Sequence, residues 1–506
     1  MMWIAVGLSV GLVAQAPAQA TTAATGEAYF LFLQGRMLEG RGDVAGAVAA
    51  YRRAIELVPS AADVRAELAG LFAREGRAPE AIAEAEAALA TDPLNHEAHR
   101  ILGLIRAAMA DSLSSTDAQG RLVVQAIDNL ERALAGGRRD PGVEISLGRL
   151  YVRTGQHAKA IPILEGFLMD QPGYPEGVLL LVEALDATGA EARAITVLEP
   201  LVRAEPDLAR ARSWLAELYD AEGRQAEALV HWRELATTNP RNIPVRSRFA
   251  SSLVNLGYLE EGRRTLLELA GEFPRDVSVW YLVSQVENRA GNADGAEQAA
   301  RRIIDIDAGD PRGPLALAES RTARGDYRGA VSALEPLLTA LRSTPDTGVY
   351  ARVAVELSVA LEASGDRGRS VRVLEDARTR DAENREVLTA LAAAYLREKR
   401  HPQAERVYRD LLSRDPDNPE YLNGLGWTFV QQGQAGLARE PLERAVAARP
   451  GNAVYLDHLA DALFQLKQYR DAVALWDRAL AGDRQGIDVE TVTRKRDRAR
   501  QLAGRE

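Results

Sequence analysis

Proline recurs in this chain at a fixed interval of 34 residues. Pro59 and Pro93 are one interval apart; Pro172, Pro206, Pro240 and Pro274 continue it, as do Pro416 and Pro450. The two gaps, of 79 and 142 residues, are whole multiples of 34 with 11 and 6 residues to spare. Other residue types keep the same phase: Tyr421 and Tyr455, Leu422 and Leu456, Leu425 and Leu459, Ala438 and Ala472, Ala445 and Ala479. A period of this length belongs to a supersecondary unit too small to bury its apolar side alone, so each copy must cover the next. Thirteen units are counted, beginning near Ala28, Ala62, His96, Pro141, Pro175, Ala209, Ile243, Val277, Pro311, Ala351, Arg385, Pro419 and Ala453.

Composition fits such an array. Apolar residues make up 46% of the 506, charged residues 26% and aromatics only 6%, with Ala, Leu and Val dominant. That balance favours closely packed helices over sheets. The net charge is −10 with both signs mixed along the chain, which speaks against a nucleic-acid binder with a basic face. The chain has no cysteine, which excludes disulfides, thiolate metal sites, cysteine nucleophiles and a lipidated cysteine.

Within each period, small and large residues hold fixed offsets. Leu147, Gly148, Tyr151, Ala160, Leu164 and Pro172 form one set; Leu215, Ala216, Tyr219, Ala228, Trp232 and Pro240 another. The series continues with Leu391, Ala392, Tyr395, Ala404, Tyr408 and Pro416, then Leu425, Gly426, Phe429, Ala438, Leu442 and Pro450. This spacing resembles the tetratricopeptide repeat, W-x2-L-G-x2-Y followed by A-x3-F and P. The resemblance covers nearly the whole chain beyond its first residues. It implies an all-α fold: a right-handed α-α superhelical solenoid of about 13 helix-turn-helix repeats. Small residues at repeat positions 8, 20 and 27 (Gly35, Ala47 and Ala54 in the first unit) let two helices approach, and large ones at positions 7, 11 and 24 fill the space between them. Residues 487–506 are expected to hold a capping helix, drawn from the polar stretch at 491–502.

Two units exceed the period. The third carries 11 extra residues within AAMADSLSSTDAQGRL, expected to lengthen its first helix or the loop after it. The ninth ends in TALRSTPDTG with an excess of 6. Both read as surface length tolerated at low cost rather than partner contacts.

At the N-terminus, an apolar run at 3–14 precedes Ala18-Gln19-Ala20. It is shorter than the ~20 apolar residues of a spanning helix. The pattern reads as a signal peptide over residues 1–20, cut after Ala20 or after Ala18, though no Lys or Arg precedes the run. The mature chain is then expected in the periplasm or secreted, neither a lipoprotein nor stably membrane-spanning.

No arrangement for catalysis stands out. His96 and His99 share a helix face near Asp92 without a third ligand, and read as a solvated helix start. Asp305, Asp307 and Asp310 lack the Gly and Glu of a calcium loop and fall where one unit meets the next. No phosphate-binding loop, nucleophile elbow or dinucleotide fingerprint is present. No enzyme activity, cofactor or metal is expected.

What remains is binding. The resemblance implies that first-helix positions 2, 5, 9 and 12 face a concave groove. Carried onto this chain, those offsets select Glu183, Asp186, Glu217 and Asp220; Ser247, Ser251, Tyr281, Gln285 and Asn288; Asn423 and Trp427; and Asp457 and Asp461. Trp427 is the sharpest candidate, because an indole at position 9 makes an economical interface anchor. The Lys and Asn pattern with which some relatives grip a C-terminal carboxylate is not expected here. The leading expectation is an exported bacterial scaffold that binds a protein or peptide in this groove, as helpers of envelope assembly do. The alternatives are an accessory subunit positioning substrate in a polysaccharide-export or glycan-processing complex, and an intracellular adaptor should the N-terminus not be a signal. A homo-oligomer is compatible with either.

Overall fold

The computed structural model describes residues 22–112, 116–137 and 139–504; the signal-peptide reading of residues 1–20 lies outside the described residues. Among the described residues there are 27 helices and no strand. The chain divides after Leu235 into two compact bodies.

The N-terminal body holds six pairs. They are α1 (Thr22–Gly40) with α2 (Val44–Leu57), α3 (Ala62–Arg74) with α4 (Ala78–Thr91), and α5 (His96–Ser112) with α6 (Thr116–Leu134). Then come α7 (Pro141–Arg153) with α8 (His157–Asp170), α9 (Pro175–Ala187) with α10 (Glu191–Ala204), and α11 (Ala209–Ala221) with α12 (Gln225–Thr238), whose last residues fall beyond the division. The C-terminal body continues with α13 (Ile243–Asn255) and α14 (Leu259–Glu272), α15 (Val277–Arg289) and α16 (Ala293–Ile306), and α17 (Arg312–Ala323) and α18 (Tyr327–Leu341). It closes with α19 (Thr347–Ala363) and α20 (Arg367–Arg380), α21 (Arg385–Arg397) and α22 (His401–Arg414), α23 (Pro419–Gln431) and α24 (Ala435–Ala448), α25 (Ala453–Gln465) and α26 (Tyr469–Ala481), and last the single α27 (Val489–Ala503).

Local chemistry explains the boundaries. Asx side chains cap many helix starts; Asn418 accepts from the amides of Glu420 and Tyr421, and Asn452 from that of Tyr455. The turn inside most pairs passes through a residue with positive φ. That residue is usually glycine, as at Gly433 (φ 73°), but it is Lys399 (φ 57°) and Lys467 (φ 64°) in two pairs. Side-chain size then sets the spacing within a pair. A Cβ on Gly426 of α23 would stand 2.4 Å from Leu442 Cγ of α24, so the two helices meet where one residue has no side chain.

The extra length of the third unit falls in its first helix, one of the two expected places, and in its second helix as well. In the third pair α5 has 17 residues and α6 has 19, against 13 and 14 in most other pairs, so both helices of that pair are longer. In the ninth unit the excess is shared between the end of α18 and a 17-residue α19 that starts at Thr347 rather than Ala351. Added helical turns keep backbone donors paired, which an extended loop would leave to solvent.

Candidate functional site

Consecutive helices pack throughout each body, and most first helices also pack on the first helix of the next pair: α3 on α5, α5 on α7 and α7 on α9, then α13 on α15 through to α23 on α25. Successive second helices do not meet to a comparable extent. First helices therefore run as a packed row through much of each body, and their positions 2, 5, 9 and 12 recur along that row.

In the N-terminal body, Asp186 accepts a hydrogen bond from Trp214 Nε1 at 3.2 Å, and Asp220 from the buried Trp232 at 2.9 Å. Asp220 thus serves a buried indole N–H that would otherwise lack an acceptor, while the Asp186 bond lies at the surface. Glu183, half-buried, and Glu217, exposed, each stand one turn before these acids on the same helices and have no partner among the described residues.

In the C-terminal body, Tyr281 accepts from Arg352 of α19 at 2.7 Å. Ser251, Gln285 and Asn288 line one cavity of about 330 Å3, together with Glu319 of α17. Glu319 and Arg352 were missed by the sequence reading, although both stand at groove offsets: position 9 of the ninth unit and position 2 of the tenth. Ser247 stands one turn before Ser251 on α13 and is half-buried.

Nearer the C-terminus the expected groove residues are closed off by the chain itself. Trp427 is half-buried and stacks on His458 of the next first helix, with ring centroids 4.0 Å apart and planes inclined by 11°. Asn423 holds the same imidazole through Nδ1 at 2.9 Å. Asp457 accepts from Trp476 Nε1 at 2.7 Å and from Lys495 at 3.0 Å, and Asp461 accepts from Lys495 at 2.6 Å. Lys495 belongs to α27, which turns Val492 and Ala499 inward and pairs Arg500 with Asp477 at 2.8 Å. Trp427 and Asn423 thus bind the next repeat, and Asp457 and Asp461 bind Trp476 and the terminal helix α27, rather than standing open. Burial pushes Asp461 up to about 6, with Asp457 adding to the shift, and burial lowers His458 to about 4.

Two sequence-family models, both described as tetratricopeptide repeat, match the chain. One matches residues 154–218 and 361–427; the other matches 13–62, 32–96, 67–108 and 248–311. Together they span more than half of the chain. It belongs to the tetratricopeptide repeat family.

Solved structures similar to this tetratricopeptide repeat chain include a tetratricopeptide repeat protein from Parabacteroides merdae, at 17% identity and TM-score 0.41, covering 50% of this chain and 98% of that one. Yeast Tom70 is similar at 15% identity and TM-score 0.46, covering 88% of this chain and 96% of its own. The Cut9–Hcn1 hetero-tetramer of the APC/C is similar at 14% and 0.40, covering 95% of this chain and 99% of that one. A search of curated proteins gave no match.

The histidine pair of this tetratricopeptide repeat chain corrects one expectation. His99 is buried, not solvated. Its two ring nitrogens bond Asn129 and the Pro93 carbonyl, each at 3.0 Å, while His96 Nδ1 meets the Arg132 carbonyl at 2.8 Å. The pair ties the lengthened third repeat together. Among the described residues no group of three or more His, Asp and Glu is placed to hold a metal ion. Asp310 is taken by Arg312 at 2.6 Å at the start of α17.

Proposed function

We propose that this tetratricopeptide repeat chain is a non-enzymatic scaffold that binds a protein or peptide partner along the inner row of first helices. The observation that carries this reading is the contrast along that row. Asp186, Asp220, Asp457 and Asp461 are consumed by donors within the chain, from the same repeat, the next one or α27, whereas Glu183, Glu217 and Gln285 recur at position 9 with no partner among the described residues. Polar side chains left without internal work on an inner face are available for recognition. The signal-like pattern at residues 1–20 supports export, with the partner in the bacterial cell envelope.

Photo-crosslinking residues placed at Glu217 and Gln285 are expected to trap a discrete partner. The same residue placed at Val230 and Leu437, exposed on second helices, is expected to trap none. Equal trapping from both faces would overturn the inner-row reading. Mass spectrometry of the native N-terminus tests export: a chain starting at Thr21 or Gln19 in the periplasmic or secreted fraction supports it. An intact Met1 in the cytosol moves the same face to an intracellular partner.

A further inference from the structure

The cavity between α13, α15 and α17 contains two hydrogen-bond acceptors that the chain does not satisfy. The side-chain oxygen of Asn288 is fully buried and receives no hydrogen bond. The Glu319 side chain is only 26% exposed, yet no donor among the described residues bonds it; the nearest cation, Arg352, stands 3.6 Å away and gives its close bond to Tyr281 at 2.7 Å. Burial, reinforced by the charge of Glu356, raises the Glu319 carboxyl above its ordinary range. Glu356 is itself raised by burial and by Glu386, so the single Arg352 guanidinium stands among too many carboxylates. Elsewhere in the same body a buried carboxylate is fully served: Glu287 takes Arg263 at 2.9 Å and Asn292 at 2.7 Å. Leaving buried acceptors empty costs folding free energy, and such exceptions call for an explanation.

The geometry points to this cavity as the seat of a cationic side chain, arginine or lysine, presented by the partner. The inference rests on the scaffold reading above and specifies what the partner must offer. Lysine and arginine are the side chains that only donate and also carry positive charge. Either would bring donors to a cavity whose acceptors lack them, together with the missing charge. The cavity of about 330 Å3 has an apolar wall of Val254, Leu266, Leu282 and Val286, which suits the methylene stem of such a side chain. A hydroxyl or neutral amide would bring donors without charge. A carboxylate would meet Arg289, which is exposed and held to Asn255 at 3.5 Å, but it would repel Glu319 and bring Asn288 no donor.

The test uses the full chain and a fluorescein-labelled peptide, Gly-Ser-Arg-Arg-Ser-Gly, beside the same peptide with both arginines replaced by the uncharged, near-isosteric citrulline. At physiological ionic strength the arginine peptide is expected to bind at least about tenfold more tightly. Glu319→Gln keeps the shape of the side chain and is expected to lower that affinity about fivefold or more, as is Asn288→Leu, while Glu440→Gln on the second helix α24, where the side chain is 74% exposed, leaves it unchanged. Equal binding of the two peptides would show that the cationic charge is not recognised, and an equal loss with Glu440→Gln would assign the attraction to the overall charge of −10; either result overturns the proposal. If that happens while crosslinking at Gln285 still traps a partner, only the cationic anchor is lost and the scaffold reading stands; failure of both removes both.

Discussion

Trp427 lies flat on His458, 4.0 Å between centroids, and the Asn423 oxygen 2.9 Å from Nδ1 selects the tautomer that keeps its proton there. The indole therefore acts as a lid that holds a neutral imidazole between two repeats. Burial accounts for the low pKa of about 4. Trp427→Ala is expected to hydrate the ring, move the His458 pKa back toward its ordinary value near 6.5 and cost about 1–3 kcal/mol of local stability. An NMR titration of His458, with hydrogen exchange across α23 and α25, reads both effects; an unchanged pKa would mean that the lid is elsewhere.

His458 and Asp461 give stability opposite slopes with pH. His458 has a folded pKa of about 4 against an ordinary 6.5, so its contribution is complete above 6.5 and is lost as pH falls toward 4. Asp461 has a folded pKa of about 6 against an ordinary 3.8, so its contribution is complete below 3.8 and is lost as pH rises through 6. Asp457 and Lys495 face both groups. Each slope is worth about 2 kcal/mol after allowance for partial hydration, so in the native chain they nearly cancel. Asp461→Asn should leave a C-terminal end that gains stability from pH 4 to 6.5, and His458→Gln one that loses it. Hydrogen exchange of α25 and α26 across that range distinguishes the two.

The repeat architecture was legible because every copy must meet the same packing demand, so the demand is written thirteen times. Partner chemistry was less legible because it depends on contacts between copies. Asp457 and Asp461 looked open while the cap was read only as a polar helix. Yet Lys495 stands 34 residues after Asp461, at the same repeat offset, and that spacing was the available signal. Asp220 could likewise have been assigned to Trp232, since a buried indole needs an acceptor. The cavity at Asn288 and Glu319 was only half visible: position 9 marks Glu319, but no offset shows which acceptors end without donors.

Lys399 and Lys467 occupy the turn position that glycine holds in most other pairs, each with positive φ. A left-handed residue with a Cβ costs about 1 kcal/mol relative to glycine. Lys399→Gly and Lys467→Gly should each raise the melting temperature by about 1–3 °C, and Gly433→Lys should lower it by a similar amount. No change in either direction would mean that unfolded-chain entropy of the new glycine offsets the relief.

Lys495 is the one cation on two neighbouring carboxylates, 3.0 Å from Asp457 and 2.6 Å from Asp461, with the three side chains 30%, 14% and 17% exposed. Lys495→Met preserves the stem but leaves two like charges half-buried together. Removing one partner of such a group costs more than the pair was worth, here about 2 kcal/mol at pH 8. The loss should shrink at pH 5, because Asp461 takes up a proton there and the repulsion ends. Adding Asp461→Asn to Lys495→Met should restore much of the stability at pH 8, giving a coupling of about 1 kcal/mol or more in a double-mutant cycle. Thermal melting of the four proteins at both pH values reads the cycle. Additive losses at pH 8 would show that α27 is held by Val492, Ala499 and the Arg500–Asp477 pair, with Lys495 a bystander.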